Sequence, residues 1–236
     1  MNLKFLSFLG VLMLVGSLFT SSVNAKSENA KKSLVALGDS ITYGYNLDNN
    51  NHPSKAAFPS VMGRQMDTRV RNLGVEGWPT HQLLMALKED EKFRQAVRHA
   101  DVVTLNIGSN DFLHGLLASI ENPDIWPGVT TNMLKNIGDI MTEIQALTDA
   151  KIVVYNIFNP FPADSGVHAY VDYLLPPINE GIKKIALGSG ENVVFADAYE
   201  AFGNDQAIYI IQDDNHPTAL GHELLAKIGF EALNFK

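Results

Sequence analysis

No cysteine occurs among the 236 residues. That excludes disulfide staples, thiol nucleophiles, Cys-ligated zinc, iron–sulfur clusters and a lipid-modified N-terminal cysteine. Basic side chains are also in the minority. Eighteen Lys and Arg stand against 26 Asp and Glu, a formal charge of −8. Non-specific nucleic-acid binding needs a basic face, so no nucleic-acid partner is expected. The sequence has no Walker A loop, no Gly-x-Gly-x-x-Gly, no His-Glu-x-x-His and no Gly-x-Ser-x-Gly. A P-loop, a dinucleotide fingerprint, a zincin and an ordinary α/β-hydrolase elbow are thereby set aside. His52, His81, His99, His114 and His168 are scattered, and His222-Glu223 has no second histidine at metal-binding spacing. No metal site and no cofactor are expected.

What is present begins with an export pattern. Lys4 is the one charge before Lys26, and Phe5–Phe19 is almost wholly apolar. The run is about 15 residues, short of the roughly 20 that span a bilayer. Val23 and Ala25 then suit cleavage after Ala25. Residues 1–25 read as a signal peptide, with an uncleaved anchor as the alternative. Secretion follows, with no stable membrane span once the signal is removed. Residues 26–33 read as a flexible polar lead and residues 34–236 as one domain. Hydrophobic residues make up 46% of the chain, enough for a substantial core.

Five short apolar runs read as strands: Leu34–Leu37, Val70–Leu73, Val102–Ile107, Ile152–Ile157 and Val193–Ala196. Continuous apolar runs suit strands buried on both faces. Helical patterns lie between them. Val129, Met133, Ile137, Ile140, Met141, Ile144 and Leu147 form one helical stripe. Thr80 is a candidate N-cap for Gln82–Lys88, and Pro177 a candidate opening for a helix to about Leu187. A last helix is expected from Ala219 to about Leu233. Strands alternating with helices imply right-handed crossovers and an α/β fold, a three-layer α/β/α sandwich with a five-stranded parallel sheet. Tyr43–Phe58, Phe112–Gly128 and Phe158–Asp172 read as long loops on the C-terminal side of the strands, where such sheets bind ligands.

Four short signals fall on strand ends or on the last loop. Gly38-Asp39-Ser40-Ile41-Thr42 follows the first strand. Ser40 there is either a nucleophile or a helix cap. Asn72-Leu73-Gly74-Val75-Glu76-Gly77 ends the second strand, where glycines either approach a ligand or make a turn. Gly108-Ser109-Asn110-Asp111 follows the third. Asn110 offers either an amide to developing negative charge or an Asx turn. Asp213-Asp214-Asn215-His216-Pro217 precedes the last helix. His216 suits proton transfer near neutral pH, and Asp213, three residues earlier, can hold its other ring nitrogen. Asp214 is read as solvated or as capping the turn. Together these residues supply the groups that acyl transfer needs.

In this order the four blocks resemble the SGNH/GDSL hydrolase family, with Ile41 where the family name has Leu. The likeness extends from residue 38 to residue 217, and the chain also resembles secreted lipase/acylhydrolase members. It implies a flavodoxin-like sandwich and ester hydrolysis through an acyl-enzyme on Ser40. Ser40, Asp213 and His216 would be the catalytic residues. Ser40, Gly77 and Asn110 would form the oxyanion hole, with Gly74 the weaker glycine candidate. A small-molecule ester or lipid is the expected substrate, as for an acyl esterase, lipase or lysophospholipase. A carbohydrate O-acetyl esterase is the alternative within the class. An inactive secreted binding module is the alternative outside it.

Overall fold

The computed structural model describes residues 31–234. The expected signal peptide and most of the expected lead lie outside them. Strand β1 is Ser33–Gly38, β2 Arg69–Gly74, β3 Val102–Asn106, β4 Lys151–Tyr155 and β5 Val193–Ala196. They form one sheet in the order β2-β1-β3-β4-β5, with every pair parallel. This is the doubly wound order of flavodoxin-like folds. The chain goes from β1 to β2 on one side, then crosses back to β3 on the other. The switch point therefore lies at the C-terminal ends of β1 and β3, where ligands bind in open parallel sheets.

Alternation along each strand divides the core in two. Val35, Leu37, Val103, Leu105, Ile152 and Val154 face one layer. Helices α3 (Thr80–Glu89), α4 (Glu91–Arg98), α5 (Ser109–Glu121), α6 (Trp126–Leu147) and α7 (Gly166–Gly188) supply its other residues. Leu34, Ala36, Val102, Val153 and Tyr155 face the opposite layer. There they meet α2 (Phe58–Gln65), α8 (Ala198–Phe202) and α10 (Ala219–Asn234). Two single-turn helices complete the chain, α1 (Ser40–Tyr43) and α9 (Gln206–Tyr209). Burial on both faces explains the apolar sequences of the central strands, whereas the edge strand β2 carries Arg69 and Arg71 exposed.

Three expectations need correction. Phe112–Gly128 is not a loop. It contains most of α5, a 3₁₀ turn at Pro123–Ile125 and the start of α6. Phe112 and Leu116, four apart, are buried on one face of α5. Gly115 lets α6 come close, since a Cβ there would lie 2.5 Å from Val129 Cγ1. Pro177 does not open α7 either. That helix starts at Gly166, where Ser165 caps the His168 N–H, and it carries Pro176 and Pro177 inside. Val171, Leu175, Ile178, Ile182 and Ala186 keep one buried stripe through the proline pair. The stripe outweighs interior prolines that each cost about 3 kcal/mol. Thr80 is the first residue of α3 rather than its cap, and Pro79 occupies the cap position. The Thr80 amide and hydroxyl both donate to Asp111, at 2.8 and 2.6 Å.

Beyond β4 the chain leaves the sheet, yet its backbone stays satisfied. The buried Asn179 of α7 accepts from the Ile157 N–H at 3.0 Å and donates to the Ile157 carbonyl at 2.8 Å. Asn179→Ala leaves two buried backbone groups unpaired, at about 1–3 kcal/mol each. A loss of roughly 2–5 kcal/mol in urea unfolding free energy is expected. A loss below about 1 kcal/mol would show that the pair is not held by Asn179.

Candidate active site

The site starts at Gly38, where three strand ends converge. A Cβ on Gly38 would sit 2.1 Å from the Asn106 carbonyl oxygen, so only glycine fits between β1 and β3. The Gly38 carbonyl also accepts the Val75 N–H at 3.1 Å, tying the end of β1 to the loop after β2. Asp39 then caps α1, its Oδ1 accepting the Ile41 N–H at 2.9 Å. With Asp39 as the cap, Ser40 is released from capping. It becomes the first helical residue, and its N–H forms no hydrogen bond among the described residues.

Ser40 Oγ lies 2.9 Å from His216 Nε2. The other ring nitrogen, Nδ1, lies 2.6 Å from Asp214 Oδ1. A carboxylate only accepts, so Nδ1 carries the proton and Nε2 receives the Ser40 hydroxyl hydrogen. The loop bearing the histidine is pinned at its base. Ile211 N–H donates to the His216 carbonyl at 2.9 Å, and Thr218 N–H to the Tyr209 carbonyl at 2.8 Å.

Asp213 is not the residue that meets the ring. It stands in the left-handed region at φ +58°, exposed. That kink turns the chain so that the next carboxylate folds back onto the imidazole. Asp214 also accepts the backbone N–H groups of Asn215 and His216, at 2.6 and 3.2 Å. Its far oxygen, Oδ2, accepts from Asn46 Nδ2 at 2.6 Å. Burial pushes the Asp214 carboxyl up, but the hydrogen bonds from Asn46 and His216 outweigh it and hold the group below the ordinary carboxylate range.

Asn46 and its neighbours carry no recognisable motif. Asn46 is itself held at φ +63°, donating its N–H to Asn50 Oδ1 at 2.8 Å. Asn50 Nδ2 returns a bond to Asn46 Oδ1 at 2.9 Å. The Tyr45 ring lies 5.1 Å from the imidazole. The Glu76 carboxylate, hydrogen-bonded to the Tyr45 phenol, pushes that group's pKa up. The loop after α1 thus holds His216 and Asp214 from the side opposite their own loop.

The two remaining expected residues are brought to the same edge. Asn110 is the second residue of α5, and its Nδ2 donates to the Trp78 carbonyl at 3.1 Å. One amide hydrogen stays available. Gly77 sits at φ +73°, and its N–H forms no hydrogen bond among the described residues. The Gly74 N–H is engaged by Asn72 Oδ1 at 2.9 Å. Gly74 instead serves packing, since a Cβ there would lie 2.4 Å from the Tyr43 backbone nitrogen. The arrangement can pass a proton from hydroxyl to imidazole and offer N–H groups to an oxyanion.

A model of the GDSL-like lipase/acylhydrolase family matches residues 36–224. The chain belongs to that family. It is therefore a hydrolase acting on esters. An uncharacterized protein of Bacillus subtilis, YpmR, is 25% identical over 249 residues, covering 99% of this chain and 97% of that protein. A lipase from a goat rumen metagenome has a TM-score of 0.72 at 22% identity, covering 87% of this chain and 98% of its own. A catalytic mutant of an acetylxylan esterase from Geobacillus stearothermophilus gives 0.62 at 18%, covering 87% and 95%. At these identities the solved structures show a shared fold.

Two predictions follow from the family's ester chemistry and these contacts. Asp214→Asn should lower kcat for p-nitrophenyl acetate by about 10³–10⁴, as loss of a ring-orienting carboxylate does elsewhere. Asp213→Asn should cost less than about a tenth of that factor. The reverse order would restore Asp213 as the partner of His216.

The second concerns Asp39, whose Oδ2 is buried with no hydrogen-bond partner among the described residues. Burial raises its pKa to about 7, with the Asp111 charge adding to the shift. A raised carboxyl pKa favours the protonated folded state. That contribution is complete below the unfolded value near 4 and is lost as pH rises through about 7. The melting-temperature difference between Asp39→Asn and wild type should move in favour of the variant from pH 4 to pH 8. A constant difference would mean that Asp39 does not titrate in this range.

Proposed function

We propose that the chain is a secreted serine ester hydrolase working through an acyl-enzyme on Ser40. The observation that carries this reading is the unbroken Ser40–His216–Asp214 hydrogen-bond line. Ser40 Oγ attacks the ester carbonyl as its proton passes to His216 Nε2. The oxyanion is received by the N–H groups of Ser40 and Gly77 and by the Asn110 amide. Collapse breaks the bond to the leaving alcohol, which takes the proton from His216. A water then enters, gives its proton to His216 and releases the acid and free Ser40. Asp214 stays ionised and stabilises the imidazolium that forms in each half.

We assign the acyl group to a small pit beside the site. A pit of about 20 Å³ is bounded by Ile41, Ser109 and Asn215, the chain neighbours of Ser40, Asn110 and His216. Phe112, Leu113, Ile157 and Phe158 close it. One water-sized sphere needs about 10–15 Å³. The pit thus takes a methyl-sized group, which puts acetyl esters ahead of the long acyl lipids favoured by sequence alone. The acetylxylan esterase activity of the Geobacillus protein is compatible with this order. Export through residues 1–25, with cleavage after Ala25, completes the proposal and rests on the N-terminal sequence pattern.

Four measurements test it. A fluorophosphonate should label wild type and not Ser40→Ala, and Asn110→Ala should lower kcat by about 10²–10³. Equal labelling of Ser40→Ala would overturn the nucleophile. Among p-nitrophenyl esters, acetate should exceed octanoate by at least about ten-fold in kcat/KM, and Leu113→Ala should narrow that gap. A preference for octanoate would return the long-chain reading. The exported protein should begin at Lys26 by mass spectrometry, and a start at Met1 would favour the uncleaved anchor.

A further inference from the structure

Behind the Asp214–His216 loop lies a basin of about 730 Å³, inside the usual range for ligand pockets. It adjoins the acyl pit, since Pro160 and Asn215 line both. Asp214, whose carboxylate meets His216, is among its lining residues, so the basin borders the Ser40–His216 pair from behind the loop. Its wall is polar and organised. Asn204 lines the basin, and its Oδ1 faces the buried His168 Nε2 at 3.3 Å. Gln206 is buried in the wall, with Nε2 donating to the carbonyls of Asn159 and Gly203 at 3.2 and 2.8 Å. Its Oε1 has no partner among the described residues. Gln212 adds an amide, Asp164, Asp213 and Asp214 add three carboxylates, and Phe161 adds an aromatic ring.

The wall chemistry discriminates among alcohols. Among the described residues, no Lys or Arg lines the basin. A phosphate-bearing head group would meet Asp164, Asp213 and Asp214 with no cation among these residues to offset them. An alkyl chain would desolvate four amide side chains without replacing their hydrogen bonds. A neutral polyhydroxyl group both donates and accepts. It can satisfy carboxylates and amides together while laying an apolar C–H face on Phe161. We propose that the basin binds the alcohol half of the substrate and that this half is a neutral carbohydrate. The proposal rests on the ester-hydrolase reading and adds the substrate class.

The test separates the two. Saturation-transfer NMR on Ser40→Ala protein with cellobiose should show transfer, and Asn204→Ala/Gln212→Ala in that background should abolish it. In the Ser40 enzyme, the same double change should raise KM for O-acetylated cellobiose about ten-fold, the scale of one or two lost hydrogen bonds. The loss in kcat/KM on that substrate should exceed the loss on p-nitrophenyl acetate by a similar factor. No transfer from cellobiose, or equal losses on the two esters, overturns the carbohydrate basin. So does wild-type preference for lysophosphatidylcholine over O-acetylated cellobiose. Cellobiose transfer with no turnover of any ester would instead overturn the hydrolase reading and leave the basin standing.

Discussion

The close approach of three strand ends at Gly38 is the constraint on which the site depends. β1 lies between β2 and β3, and the carbonyl of Asn106 comes too near for any side chain at position 38. The same residue's own carbonyl takes the Val75 N–H. Widening the gap would separate the loops after β1, β2 and β3 together. Those loops carry Ser40, Gly77 and Asn110. The α/β switch point is thus held by backbone contact, and the reactive side chains stand on rigid ends rather than on free loops.

A second layer of bonds ties the loops to each other. Asn110 holds the Trp78 carbonyl, and Asp111 holds the amide and hydroxyl of Thr80. Asn136 on α6 in turn donates to the Thr80 hydroxyl at 3.0 Å. Asn110 and Asp111 are adjacent in sequence, yet they have different work. Asn110 keeps one amide hydrogen free of the Trp78 carbonyl, while Asp111 is used up in fixing α3 against α5. Fixed donors need no reorganisation when charge develops, which is where electrostatic stabilisation gains its strength.

The fold and most of the site were legible in the sequence because both are written locally. Four of the five strands are short apolar runs, Ser40 and Asn110 stand two residues after a glycine that ends a strand or opens a helix, and His216 stands directly before a proline. The misreadings share the opposite property. Asp213 was favoured over Asp214 by spacing alone. The choice is made by a left-handed residue at 213 and by Asn46, 168 positions away in the chain. No local pattern encodes either one. The segment 112–128 looked irregular because Gly115, Pro123 and Pro127 interrupt it. Its helices are stabilised by burial of Phe112, Leu116 and Met133, a tertiary effect that propensity does not report. The prolines of α7 misled for the same reason.

Two histidines on either side of Pro217 show how environment assigns roles to one side chain. His222 is wholly buried in α10, where burial and the nearby His216 lower its pKa to about 3. Its Nδ1 accepts the Phe58 N–H at 3.1 Å, so it serves as a neutral acceptor at the start of α2. His216 is part-exposed and has a carboxylate on one nitrogen and a hydroxyl on the other. The buried ring cannot take up a proton without losing its backbone bond. The His216 ring instead has Asp214 on Nδ1 and the Ser40 hydroxyl on Nε2. Two residues of the same type, six positions apart, are therefore separated by burial into a structural acceptor and, in the proposed mechanism, a proton carrier. The four donors on Asp214 keep that contact in place: with Oδ2 bound to Asn46, the carboxylate stays ionised and has little freedom to rotate away from Nδ1.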